Sequence, residues 1–466
     1  MLLYRKREEI RIKICRLISA VLCAALLLTL SACAGGAGSS TPVSSDPSQK
    51  GEISMMCGLF SSSFFEKYAP FWKACGIKTL QFWVRDMDKS SSDETLTTYL
   101  QNIQGQIRAA HEMGFQVYLG FLSNFSLPEE GKFWYNSHFD VTDEEEMQKR
   151  LNVLAKTVEA TPEADGYSIF CGDPGGYVFL NGRQSDVSNY VYLCRQFIEV
   201  IRRYRPEVPV NVTPWSIASF QTPYIGPDST VFWDRETDMT RRLVELDDLI
   251  GADLGIEFPC HNYYRPLALR LYEAKNITPP LYPAAEDLTA LEQRGCTRRW
   301  AWPYFIMDEC DDGDGAGVGV QINVRYWYQL LQQLRDAGIN GVFGNWSAGG
   351  HYDHAVNMYA FGRFCADPTV TPEQVIEEYA AKNVAPADVP ALTQALCYLE
   401  NHANWHNKMP ARYQLEPMPA PATAAQALAL LEDVQPLAEG DGTAEAPADF
   451  LTRVRQSLTA LAEKGR

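Results

Sequence analysis

Eight short apolar runs, each followed by helical periodicity, predict an α/β chain folded as a (β/α)8 TIM barrel with a C-terminal helical extension. Three observations carry this: the alternation itself, glycines where helices give way to strands, and polar or acidic residues just past the apolar runs. Residues 298–368 show all three. An apolar run ends in Asp308 and Glu309, the amphipathic stretch VRYWYQLLQQLRDAG follows, a second apolar run ends in Asn345-Trp346, and a helix stops before Asp367-Pro368. Two strands joined by a crossover helix, each ending in polar residues, read as the last two βα units of a barrel.

The strand candidates are 54–60, 79–84, 116–121, 167–171, 210–213, 255–258, 300–306 and 341–344, each rich in β-branched or aromatic residues. Helical periodicity covers 95–113, 143–159, 187–203, 241–249, 266–275 and 324–337. In the third of these, Val187, Tyr190, Val191, Cys194, Phe197, Ile198, Ile201 and Tyr204 recur three and four residues apart. Gly76, Gly114 and Gly338 each stand at a helix C′ position before a new strand. A doubly wound open sheet is the structural alternative, but no Gly-rich phosphate fingerprint follows the first strand, so no dinucleotide cofactor is expected. Beyond Asp367-Pro368 the pattern turns helical over 372–383, 389–401, 423–432 and 447–463, interrupted by a Pro-rich span at 410–421.

The chain of 466 residues carries 41 basic and 58 acidic residues, a formal charge of −17. Its first 32 residues hold six of the basic groups and two of the acidic ones, so the remainder has 35 against 56, or −21. That balance argues against a nucleic-acid partner, which needs a basic footprint. The N-terminus reads as a targeting segment: a basic region to Arg16, an apolar stretch from Leu17 to Leu30, then Leu30-Ser31-Ala32-Cys33. This ending resembles a bacterial lipoprotein signal, which implies cleavage before Cys33, a lipid on its thiol, and attachment to the outer face of a bacterial membrane. The expected organisation is signal peptide 1–33, flexible tether 34–52, barrel 53–365 and helical extension 366–466. Nine of the twelve cysteines lie beyond the leader and its lipidation site, odd in number and scattered, several inside apolar runs; they read mostly as buried free thiols. No Cys or His spacing suits zinc, and no metal is expected.

Barrel enzymes carry their chemistry at the C-terminal ends of the strands. The second strand ends in Trp83, Arg85 and Asp86, the third in Asn124, the fourth in Asp173, the fifth in Trp215. The sixth ends in Glu257, with His261 and Tyr263 beyond; the seventh ends in Glu309 and the eighth in Asn345 and Trp346. Aromatic faces stack on sugar rings, amides and acids bind hydroxyls, and paired carboxylates suit glycosidic bond cleavage. Asp173, Glu257 and Glu309 are therefore the candidate catalytic acids. Trp83, Arg85, Asn124, Trp215, His261, Tyr263, Asn345 and Trp346 are the candidate substrate contacts, with a carbohydrate as partner. Each acid has a plainer reading: Asp173 as a turn residue bonded to backbone amides, Glu257 as a partnered core acid, Glu309 as part of a solvated acidic loop or a weak calcium site. The absence of a G-x-S-x-G elbow argues against serine hydrolase chemistry.

Asn345-Trp346, the run Asn357-x-Tyr359-Ala360-Phe361-Gly362-Arg363, Asp367-Pro368 and Thr371-Pro372-Glu373-Gln374-x-Ile376 together resemble a segment of the α-glucuronidases of glycoside hydrolase family 67. About 35 residues are covered, with Phe364-Cys365-Ala366 where the family has Leu-Ala-Trp. The resemblance implies an inverting sugar-active barrel, with Asp173 in the place of the general acid and Glu257 and Glu309 in the places of the two base candidates. Asp stands where the family has Glu at the first, and Glu where it has Asp at the second. The expected function is surface-anchored glycoside hydrolysis; the alternative is a glycan-binding lipoprotein that no longer cleaves.

Overall fold

Eight parallel strands close into a barrel: β1 (Glu52–Cys57), β2 (Thr79–Val84), β3 (Gln116–Leu122), β4 (Gly166–Phe170), β5 (Val210–Thr213), β6 (Leu254–Pro259), β7 (Arg298–Trp302) and β8 (Gly341–Asn345). They neighbour one another in chain order, and β1 closes on β8. The register fixes the shear. Val84 pairs with Phe121, then Ile169, Val212, Ile256 and Arg299 in turn. The offsets of the remaining three pairings bring the circuit back to β2 eight residues before Val84. A shear of about eight over eight strands is the geometry of a (β/α)8 barrel.

The computed structural model describes residues 52–57, 62–84, 93–122, 142–170, 179–180, 183–184, 187–213, 254–259, 289, 291–296, 298–302, 320, 322–336, 338–345, 355–402, 416–440 and 445–465. The leader, Cys33, the tether up to residue 51 and the expected helices at 241–249 and 266–275 lie outside them; Glu52, expected as the last tether residue, opens β1.

All eight expected strands form, within a few residues of their expected bounds. The largest difference is β7, which begins at Arg298 and ends at Trp302, with 303–306 outside the described residues. The barrel helices are α1 (Ser62–Ala74), α2 (Asp93–Glu112), α3 (Glu144–Ala160), α4 (Val187–Tyr204), α5 (Val324–Asp336) and α6 (Ala355–Ala366). Helix α1 is not apparent in the sequence because Pro70 falls inside it. It forms because Phe65, Tyr68, Ala69 and Trp72 make one buried stripe that packs on the barrel, and tertiary burial outweighs the lost hydrogen bond. Asp143 caps α3 by accepting from the Glu146 amide at 3.0 Å, ahead of three acidic residues that complement the helix dipole. Gly76, Gly114 and Gly338 all adopt φ near +80°, as their place between helix and strand requires.

Helices α7 (Pro372–Ala381), α8 (Val389–Asn401), α9 (Ala424–Ala429) and α10 (Pro447–Glu463) follow. Helix α7 begins in a capping box between Thr371 and Gln374 with proline in its first turn. Helix α9 is shorter than the expected 423–432 because the chain turns after Ala429.

The motif at 357–363 is a packing junction. The Asn357 carboxamide oxygen accepts from the Asn323 amide at 2.6 Å, and Phe361 meets Trp327 edge-on at 5.1 Å. Arg363 holds Glu378 of α7 with two hydrogen bonds, at 2.6 and 3.0 Å, and the Tyr359 hydroxyl donates to the same carboxylate. At Gly362 a Cβ would fall 1.9 Å from the Cys75 carbonyl oxygen, so α6 crosses the end of α1 at backbone contact. Glu400 of α8 reaches the start of α5. It accepts from the amides of Val324 and Arg325, both at 3.0 Å, and from the Arg325 guanidinium at 2.9 Å. The described free cysteines are Cys75, Cys194, Cys296 and Cys397, all buried, and the partly covered Cys365, whose thiol burial pushes up to about 12.

Candidate active site

The strands are apolar outside and partly polar inside. Leu80, Phe82, Val117, Leu119, Tyr167, Ile169, Val210, Val212, Ile256 and Ala301 alternate with residues of the opposite face and belong to the core under the helices. Thr79, Gln81, Ser168, Asn211, Thr213 and Glu257 are equally buried but face the barrel axis. Strand tilt shifts level positions by one residue per strand, so alternate strands fill successive layers.

The lowest layer holds Thr79, Gly166, Gly255 and Gly341. The glycines are required by what lies above: a Cβ would strike the Tyr118 ring at position 166 and Trp300 at position 341. Those rings and Phe343 pack together, with centroids 4.9–6.0 Å apart, and plug the N-terminal half of the barrel. Gln81, Ser168 and Glu257 share the next layer with Phe343, and Thr213 and Gly120 stand above it. Trp83 and Phe170 come higher still, in contact at 5.3 Å, on the side where barrel active sites lie.

Glu257 is the hub. Its Oε1 accepts from Ser168 Oγ at 2.6 Å, Asn211 Nδ2 at 2.8 Å and Gln81 Nε2 at 3.3 Å. Its Oε2 accepts from Thr213 Oγ1 at 2.9 Å and Gln81 Nε2 at 3.2 Å. Residues on β2, β4 and β5 thus converge on one carboxylate of β6. Burial pushes its pKa up; the donors from Ser168, Asn211, Thr213 and Gln81 pull the other way. No cation touches it among the described residues. Gln81 Oε1 and Trp83 Nε1, both shut off from solvent, lack a hydrogen-bond partner among the described residues.

The expectation for Glu257 needs a positional correction. It does not stand at the strand end facing the mouth. Strand β6 continues to Pro259, and Glu257 lies two layers below Trp83 and Phe170, beneath Gly120 and Thr213, with no exposed surface. Trp83 does stand high in the barrel, half-buried beside Phe170. Asn345 closes β8, its backbone paired with Met56. Arg85, Asn124, Asp173, Trp215, His261, Tyr263, Glu309 and Trp346 lie outside the described residues. The sequence reading missed Gln81, Ser168, Asn211 and Thr213. Their signal was a polar residue at the inward positions of strands that are otherwise apolar.

No family model matches the chain, and no curated protein matches it. Solved structures do. One is an enzyme of glycoside hydrolase family 138 targeting pectin rhamnogalacturonan II. It is 11% identical, with a TM-score of 0.51 over 88% of this chain and 56% of that one. Another is the endo-β-1,4-mannanase of Thermotoga petrophila, 12% identical, with a TM-score of 0.44 over 69% of this chain and 78% of that one. The chain therefore spans a little over half of the first structure's length. The family 138 likeness shows the fold: an α/β barrel of the kind found among glycoside hydrolases.

Proposed function

We propose that the chain is a glycoside hydrolase, held at the outer face of a bacterial membrane through lipid on Cys33. The observation that carries the reading is the carboxylate-centred polar layer beneath Trp83 and Phe170, in a barrel whose other half is plugged by aromatic rings. A barrel interior is ordinarily filled by branched apolar residues. A buried acid with four neutral donors is costly there, and its place supports a site on the same side.

Asp173 follows the end of β4 by three residues and Glu309 follows the end of β7 by seven. Strands β4 and β7 are separated by β5 and β6, so their ends stand across the mouth from each other. In this reading Asp173 protonates the leaving glycosidic oxygen while Glu309 takes a proton from the attacking water. Bond cleavage then leaves Asp173 ionised and Glu309 protonated, and exchange with solvent resets both. Glu257 is not assigned the base role, because both its oxygens are engaged by neighbouring donors and it has no exposed surface. Trp83 supplies an aromatic wall for the sugar, with Arg85, Asn124, Trp215, His261, Tyr263, Asn345 and Trp346 as further contacts.

The full chain is to be incubated with glucuronylated xylo-oligosaccharides and other plant and host glycans, with the anomeric protons followed by NMR. Sugar release is expected from the wild type, reduced about 10²–10⁴-fold by Asp173→Asn, the usual share of general acid catalysis. The first-formed anomer identifies inversion or retention. A glycan-binding role without cleavage is favoured by one observation, the closure of Glu257 to solvent. It would stand if ligand signals broadened equally with both proteins and no sugar were released.

A further inference from the structure

We propose that Arg298, at the N-terminal end of the barrel, is a positioning residue for the site at the opposite end, acting through Asn211 on Glu257. Arg298 Nε donates to Asn211 Oδ1 at 3.2 Å, and its Nη2 donates to the Val210 carbonyl at 3.4 Å. Asn211 Nδ2 in turn donates to Glu257 Oε1 at 2.8 Å. One amide thus stands between a cation and a carboxylate. Its orientation is fixed by chemistry: turned over, it would set its oxygen against the carboxylate and its NH2 against the guanidinium. Each hydrogen bond polarises the amide in the sense that strengthens the other.

The backbone is shaped around this contact. A Cβ at residue 255 would lie 2.2 Å from Asn211 Oδ1 and 2.8 Å from Arg298 Cβ, so glycine is what lets the two side chains meet. The groups facing Glu257 from the strands around it are Gln81 of β2, Ser168 of β4, and Asn211 and Thr213 of β5, all uncharged. At the inward positions of the strands the other titratable residues are Tyr118 of β3, Arg298 of β7 and Glu52 of β1, which is paired with Gly341 at the N-terminal end; Tyr118 packs against Trp300 and Phe343. Arg298 is thus the described cation with a hydrogen-bonded path to the buried acid.

What it holds in place follows from the strands. Glu257 tethers Gln81 and Ser168, which stand two residues before Trp83 and Phe170. Burial pushes the Glu257 carboxyl up, and the Ser168, Asn211, Thr213 and Gln81 donors oppose that push; Arg298 enters by holding the Asn211 amide in the orientation that donates. The consequence for catalysis rests on the proposed hydrolase reading, but the relay itself is open to test without any substrate.

The test is unfolding stability of the full chain from pH 4 to 9, for the wild type, Arg298→Met, Arg298→Lys, Asn211→Leu, Glu257→Gln and the Arg298→Met/Glu257→Gln double variant. The wild type should lose stability as pH rises through the raised Glu257 pKa. Arg298→Met should move the upper end of that loss to higher pH, because the Asn211 amide it orients then donates less well to the carboxylate. Arg298→Lys should restore it. Glu257→Gln should remove the loss, and Arg298→Met should then have no effect on pH dependence. If Arg298→Met does not fold, Asn211→Leu carries the same expectation. A drop in stability that is equal at every pH, or a pH shift that persists without Glu257, overturns the relay. Either result leaves the hydrolase reading standing, and loss of that reading leaves the relay testable.

Discussion

Glu257 and Glu400 are both closed to solvent, and each binds several donors, but their partners differ in kind. Glu400 lies against the Arg325 guanidinium and the first amides of α5, a full cation and the positive end of a helix dipole. Its charge is compensated where it stands, and it joins α8 to the barrel. Glu257 meets four neutral side chains, with Arg298 one amide away. The first arrangement is how a scaffold ties two elements together. The second keeps an acid in a place where leucine or valine would pack more favourably, the pattern expected near chemistry rather than in support.

The largest effect is expected from the scaffold. Glu400→Ala leaves Arg325 buried without its carboxylate and uncaps α5. It should cost about 3–5 kcal/mol of stability by urea unfolding, the range for breaking a buried pair. Gly362→Ala should cost at least about 1–3 kcal/mol, the range for overpacking, because the added carbon meets the Cys75 carbonyl, a backbone atom.

Glu257→Gln should cost less and change the pH dependence. A carboxyl with a raised folded-state pKa contributes stability that is fully present below its unfolded pKa, near 4.5, and is lost as pH rises through the folded value. Wild-type stability should therefore fall over that window, and the glutamine variant should not share the fall. Glu378 gives the opposite sign. The Arg363 hydrogen bond holds its carboxyl low, so its stabilisation is present above its unfolded pKa and lost as pH falls through the folded one. That pair is partly exposed, and Arg363→Ala should cost below about 1 kcal/mol at neutral pH and still less in high salt. A flat profile for wild type and Glu257→Gln alike would erase the contrast between the two acids.

The barrel was legible because its signals are local. Alternating strands, amphipathic helices and the three glycines at helix ends each carry their own short-range pattern, and all eight strands follow it. Helix α1 was hidden by Pro70, a local breaker outweighed by four buried side chains. The depth of Glu257 could not be read, since the sequence shows that an acid ends an apolar run but not how many layers of side chains lie above it. The resemblance at 345–376 taught something narrower than it implied. Asn357, Tyr359, Phe361, Gly362 and Arg363 all serve the junction of α6 with α1, α5 and α7. Such a motif reports on how the helices pack and says nothing of a substrate.

The most direct measurement sets two acids against each other in turnover: release of sugar from the glycan panel by wild type, Glu309→Gln and Glu257→Gln across pH 4 to 9. Glu309→Gln should lose about 10²–10⁴-fold at every pH, the scale of general base catalysis. Glu257→Gln should keep measurable turnover with a displaced pH profile. Abolished turnover in folded Glu257→Gln together with an active Glu309→Gln would make the buried acid the reacting group and contradict the assignment.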